Sequence, residues 1–217
     1  MTQTREDMGS TLAEHVLVLK GGGVAFPSPP WHLSAQMWLS VFRVPGGAGV
    51  EPGVYGAAFV SYEPPGVLSY RELLVARLLD TRRRRVRITD IWVDNETSRE
   101  GGRVLWAIPK ELAELDLEET RVGPTSHTAL AARVDGAAVA SAEFAAAPGA
   151  ALLRAPFSAT ISQERDGAEV LTSWRGSAKS LPALGFWDFD PTGPLAFLHG
   201  RRPLVSFRLT DVRMVFG

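Results

Sequence analysis

A chain of 217 residues is long enough to bury one sizeable core, and its 45% hydrophobic and 22% charged residues are the balance of a soluble globular protein. A net charge of −1 excludes a global field that would recruit nucleic acid or an anionic membrane. The lack of cysteine excludes a disulfide framework, a thiolate nucleophile and a cysteine metal site, and is compatible with a reducing cytoplasm. We read residues 1–217 as one domain, with two small subdomains as the alternative.

The polar N-terminus MTQTREDMGS lacks the order of a signal peptide, and roughly residues 1–12 are expected to be mobile. No apolar run approaches the roughly 18 to 20 residues that span a bilayer. Gly21-Gly22-Gly23 is followed by no Gly-Lys-Ser/Thr ending, so it reads as a flexible turn and not as a phosphate loop. Leu33 to Val44 is apolar enough for a helix or a strand. Val54 to Tyr62 and Tyr70 to Leu79 read as strands separated by the turn Pro64-Pro65-Gly66. Asp80-Thr81-Arg82-Arg83-Arg84-Arg85 reads as a solvated hairpin end, since the near-zero net charge and the lack of a wider basic surface argue against nucleic acid. Val86, Ile88 and Ile91 then turn inward, with one shift of register between them.

The most informative stretch runs from Asp90 to Leu115, DIWVDNETSREGGRVLWAIPKELAEL. Ile88 to Val93 alternates like a half-buried strand and ends at Asp94-Asn95. Gly101-Gly102 allow a tight or left-handed backbone, and Val104 to Ile108 is apolar again. Pro109 suits the first position of a helix, and Lys-Glu-Leu-Ala-Glu-Leu is good helix-forming sequence, so Lys110 is expected in a helix's first turn. There the macrodipole, and desolvation by Trp106 and Ile108, would push the lysine towards a neutral, nucleophilic amine. The alternative is a lysine whose stem packs on Trp106 while its charged end reaches water.

Beyond this stretch, Thr128 to Phe144 reads as a hairpin about Asp135-Gly136. Ala155 to Gln163 and Glu169 to Arg175 read as a second about Asp166-Gly167. Trp187, Phe189 and the prolines at 182, 191 and 194 are expected in a loop-rich segment. Leu204 to Leu209 and Val212 to Phe216 close the chain as strands. The four histidines are too scattered for a metal site, and no cofactor fingerprint or Gly-x-Ser-x-Gly elbow is present. The sum is a mainly β, β-rich α+β chain forming an antiparallel sheet or barrel with few short helices.

The order Asp94-Asn95-Glu96, Gly102-Arg103, Pro109-Lys110 and Leu112 resembles the signature of the acetoacetate decarboxylase family, most clearly from about Tyr62 to Leu115. The resemblance implies that family's β-rich fold, a Schiff-base lysine at Lys110, and an active-site glutamate at Glu72. An ungapped match of the Phe-Pro pairs puts Gln36 where the decarboxylases carry a carboxylate-binding arginine. The family's second glutamate falls near Ala57, Ala58 or Phe59, with Glu63 as a substitute close in sequence, and Glu111 replaces a second lysine. Trp92, Trp106 and Ile108 are expected as pocket walls. Arg103 is assigned either to a substrate carboxylate or to locking the loop through Asp94 or Glu96. The expected function is that of a cytoplasmic lyase with no cofactor, acting on a small keto acid or other carbonyl compound by decarboxylation, or by aldolase or dehydratase chemistry. A homo-oligomer is implied, with neither nucleic acid nor membrane as partner. The alternative is a non-catalytic small-molecule-binding protein on the same scaffold.

Overall fold

The computed structural model describes residues 16–17, 23–47, 49–146 and 153–217. The expected mobility of residues 1–12 and most of the glycine turn lie outside the described residues. A two-residue pairing joins β1 (Val16–Leu17) to β2 (Phe26–Pro27). The long strands β3 (Trp31–Val44), β4 (Gly53–Glu63), β5 (Tyr70–Asp80) and β6 (Arg85–Val93) follow as an antiparallel meander. Next come helix α1 (Glu96–Trp106), the short β7 (Lys110–Leu112), and β8 (Glu114–Val122), β9 (Thr125–Val134) and β10 (Ala137–Ala146). The chain ends with β11 (Arg154–Arg165), β12 (Ala168–Phe189), a 3-10 turn at Ala196–Leu198 and β13 (Val205–Phe216).

Eleven strands form one mixed sheet that closes on itself. In the order β11-β6-β5-β4-β3-β13-β12, the last strand pairs back with β11, so seven strands make a barrel. The expected antiparallel pattern holds except at two short parallel joins, β11 with β6 and β6 with β7. The 22-residue β12 serves three neighbours: β11 along its first half, β13 in the middle, and β10 along Ala183–Phe189. Trp187 and Phe189 therefore belong to a strand and not to a loop. Pro182 pairs with Phe207 of β13 and, on the other side of β12, falls in the gap between the last β11 pairing at Lys179 and the first β10 pairing at Ala183, where no ladder partner stands opposite it.

The extension β10-β9-β8 folds over the outside of the barrel and creates a second core. Phe42, Tyr55, Phe59, Leu73 and Trp92 on the barrel's outer face pack there against Leu115, Leu130, Val139 and Phe144. The first core lies inside the barrel and under α1, built from residues such as Ala35, Met37, Val60, Ile91 and Met214. The two expected Asp-Gly hairpins are present: Asp135 and Gly136 have φ of 50° and 78°, and Asp166 and Gly167 have 52° and 77°, the left-handed pair of a type I′ turn. Among the described residues no helix is long and apolar enough to cross a membrane.

Candidate active site

The helix lies one element earlier than the sequence suggests. Asn95, in extended conformation, caps it by accepting a hydrogen bond from the Ser98 amide at 2.9 Å. It stops at Ala107, whose left-handed φ of 56° lets its N–H and that of Ile108 return to Arg103 and Gly102 carbonyls. Lys110 thus follows a helix C-terminus and begins a strand, and the expected helix over Lys110 to Leu115 is absent. β7 runs parallel to β6 with Ile91 opposite Lys110, occupying the part of the β6 edge that β11 leaves open. Arg103 fixes this segment from outside by donating to the Lys110 carbonyl at 2.6 Å and pairing with Glu111. It therefore locks the loop, though through Glu111 and not through Asp94 or Glu96. Glu111 points outward and does not bear on the Lys110 amine.

Gly101 and Gly102 sit inside the helix because nothing larger fits. A Cβ on Gly101 would lie 2.5 Å from the Trp31 ring, and one on Gly102 would lie 2.8 Å from Cδ of Lys110. The lysine stem thus runs directly under the helix backbone.

Lys110 and Glu72 are only 4% and 2% exposed. The Lys110 Nζ donates to Glu72 Oε2 at 2.8 Å, to Ser98 Oγ at 2.9 Å and to Tyr70 Oη at 3.3 Å, which uses all three of its protons. The Tyr62 hydroxyl donates to the other Glu72 oxygen at 3.0 Å, and the rings of Tyr62 and Tyr70 stack at 4.3 Å. Register produces this cluster: Tyr62 stands opposite Tyr70 and Val60 opposite Glu72, so the two tyrosines and the glutamate share the inner face. Ser98 reaches it from the first turn of α1. Sequence reasoning did not single out Tyr62, Tyr70 or Ser98. The i, i+2 spacing of Tyr70 and Glu72 was the available signal for one of them.

Burial is the largest influence on Lys110 and lowers its proton affinity. The Glu72 carboxylate and Tyr70, with their hydrogen bonds, outweigh it and hold the ammonium above the usual lysine range. This differs from the expected neutral amine: the helix dipole is not where the sequence suggested, and a carboxylate is. Burial likewise raises the Tyr70 hydroxyl against the pull of Lys110, and raises Tyr62 well above its ordinary value with Glu72 adding to the effect.

Glu72 and Tyr62 form the polar end of an apolar cavity of about 240 Å³ inside the barrel. Among the described residues, its other walls are aliphatic, aromatic, Met or Gly, including Leu39, Leu74, Ile88, Trp174 and Met214. Lys110 stands one hydrogen bond behind that polar end. Trp106 and Ile108, expected as pocket walls, are buried in the same core but do not line the cavity; Trp106 instead meets Trp31 and Phe216 edge-on at 4.8 and 4.7 Å. Trp92 is not brought to the site. It lies in the second core, because an extra residue in β6 opposite Val75 and Ala76 reverses the alternation after Ile88.

Gln36 and Glu63 also face away from Lys110. Gln36 donates to Glu63 at 3.1 Å and accepts from Arg208 at 2.9 Å on the outer face of the barrel. Their neighbours Ala35, Met37 and Tyr62 are the ones that point in. Glu63 therefore does not stand in for the family's second glutamate, and Gln36 is not positioned to hold a substrate carboxylate at Lys110. Among the described residues no group of acidic or histidine side chains is arranged to hold a metal ion.

The barrel, its folded-over extension and the lysine beneath a short helix define a class. The profile of the acetoacetate decarboxylase family matches residues 44–174, and the chain belongs to that family. Among solved structures, the enduracididine biosynthesis enzyme MppR in complex with pyruvate is similar with a TM-score of 0.60 at 20% identity, covering 88% of this chain and 89% of that one. An acetoacetate decarboxylase from Legionella pneumophila gives 0.57 at 13% identity over 88% and 86%. An acetoacetate decarboxylase-like enzyme from Sphingomonas wittichii gives 0.55 at 16% over 94% and 96%. No curated protein is recognisably similar in sequence.

Proposed function

We propose that the chain is a lyase that binds a small keto acid or other carbonyl compound in the barrel cavity and forms a Schiff base on Lys110. The observation that carries this is the buried Lys110 amine 2.8 Å behind the Glu72 carboxylate, which itself forms the polar end of an otherwise apolar cavity. The resting ammonium passes a proton from Nζ to Glu72, leaving a neutral amine that attacks the carbonyl carbon. After attack, a proton of the attacking nitrogen moves to the new alkoxide to give the carbinolamine hydroxyl; Glu72 then returns its proton to that hydroxyl, which leaves as water as the carbon–nitrogen double bond forms. The resulting iminium withdraws electrons from an adjacent bond, whether carbon–carbon cleavage, condensation or dehydration follows. Tyr62 holds the far oxygen of Glu72, and Ser98 and Tyr70 keep Nζ aligned during the exchange. MppR, a fold neighbour, is described in complex with pyruvate and with a condensation product of pyruvate and an aldehyde, which supports chemistry on small carbonyl compounds.

Each round of imine formation and hydrolysis exchanges the carbonyl oxygen with solvent. The protein should therefore accelerate wash-out of a heavy-oxygen label from a bound ketone or keto acid, and Lys110→Ala should abolish the acceleration. Equal wash-out by the two proteins would remove the Schiff base from the mechanism. The second reading, a binding protein without catalysis, draws on the complete pairing of the ammonium. It expects tight ligand binding with no exchange.

A further inference from the structure

We propose that the site takes a linear aliphatic ketone or aldehyde that carries no carboxylate beside the carbonyl, with its hydrocarbon tail lying along the barrel cavity. The inference rests on the Schiff-base reading of Lys110 and narrows its substrate class.

The argument begins with charge. Among the described residues, no lysine, arginine or histidine lines the cavity. Gln36 faces the opposite side of the sheet, where it is bonded to Glu63 and Arg208. The Lys110 charge is already taken by Glu72, whose own carboxylate forms the polar end. A substrate carboxylate placed there would lose its water, gain no donor and stand against a like charge.

The second observation is shape. Glu72, Leu74, Ala76 and Leu78 alternate along one strand and all line the cavity, a row roughly 20 Å long at about 3.4 Å per residue. Gly56 and Ala58 line the neighbouring strand, and with Ala76 they keep the lumen clear of bulk. The space is therefore a narrow apolar channel that leads to a single polar end, the shape of an extended alkyl chain with one oxygen at its tip.

The test uses the full chain with methyl ketones from butanone to decanone, the 2-oxo acids of matching length, and the matching alcohols as carbonyl-free probes. Two signals are read: the half-saturating concentration for borohydride-trapped adduct on Lys110, and the change in fluorescence of Trp174, whose ring lines the cavity, taken as the part lost in Trp174→Phe. Each added methylene should tighten ketone binding roughly fourfold until the channel is filled. Alcohols should follow the same trend in fluorescence, and ketones should be trapped at lower concentration than oxo acids of equal length. In Ala76→Phe the dependence on length should vanish; if that variant does not fold, the wild-type series decides alone. A flat series, or preference for the oxo acids, overturns the inference even while an adduct on Lys110 upholds the Schiff base. A length-dependent fluorescence response with no adduct on any carbonyl upholds the tail channel and removes the Schiff-base reading instead.

Discussion

Replacing Lys110 with Met should lower the unfolding free energy by about 3–5 kcal/mol near neutral pH, while the double replacement Lys110→Met with Glu72→Gln should recover most of that loss. The single change leaves a carboxylate almost without solvent, its one remaining strong donor being the Tyr62 hydroxyl. The double change removes both charges together, and the new side-chain amide keeps an oxygen for Tyr62 to bond. Urea unfolding of wild type, the two single variants and the double variant measures the coupling directly, with an unchanged slope serving as the check that only stability has moved. A loss below about 1 kcal/mol for Lys110→Met would mean that the pair is solvated and contributes no more than a surface bridge. Buried pairs of this kind are seldom retained for stability alone, because apolar replacements serve at least as well. A large coupling would therefore locate the reason for the pair in its chemistry.

The second large effect is on pH dependence. Lys110 is held above the ordinary lysine value of about 10.4, so its contribution to stability is complete below that value and is lost as pH rises through the higher folded value. The same titration governs nucleophilicity: trapping of a carbonyl should rise with pH through the alkaline range as the free amine becomes populated. Glu72→Gln removes the leading influence that raises the proton affinity and leaves burial, the largest influence of all, which lowers it. The rise should then move to lower pH, below that of wild type. The variant should begin to trap at lower pH than wild type, but its plateau rate of trapping and its turnover should both be lower, since the group that accepts and returns the proton is gone. A profile that does not move, or moves upward, would mean that Glu72 does not control the charge on Lys110.

Much of the fold was legible because its signals are local. The strand at Ile88 to Val93 and the two Asp-Gly turns each rest on signals within a few residues; all three elements are found where expected, although the alternation within the strand is broken once, at Thr89. The helix was misplaced because its own markers conflict with propensity. It carries Gly101 and Gly102 in its interior and ends on Ala107 without a terminal glycine, whereas Lys-Glu-Leu-Ala-Glu-Leu has good helix-forming composition and no room to be a helix. The glycines are explained by Trp31 and Lys110, which are distant in sequence or downstream of the helix, so the reason for them is tertiary.

At the candidate site, the resemblance points to Lys110 and Glu72, and the fold brings these two side chains to hydrogen-bond distance. Trp92 as a pocket wall does not agree with the shift of register expected between Ile88 and Ile91: the inserted residue in β6 puts Ile91 inside the barrel and therefore Trp92 outside it. Gln36 was misassigned by an ungapped match that is one position out of phase with the inward face of β3, where Ala35 and Met37 point inside. Tyr62 and Ser98 are defined only by pairing across strands and by the docking of α1, which no window of neighbouring residues contains.

The most direct test of the central claim is reductive trapping with site mapping. The protein is incubated with keto acids, ketones and aldehydes, reduced with borohydride and digested, and any adduct is located by peptide mass spectrometry. The expected result is one adduct, on Lys110, absent from Lys110→Ala and from protein unfolded before reduction. Adducts spread over surface lysines such as Lys179, or none on Lys110 in the folded protein across the whole panel, would contradict it.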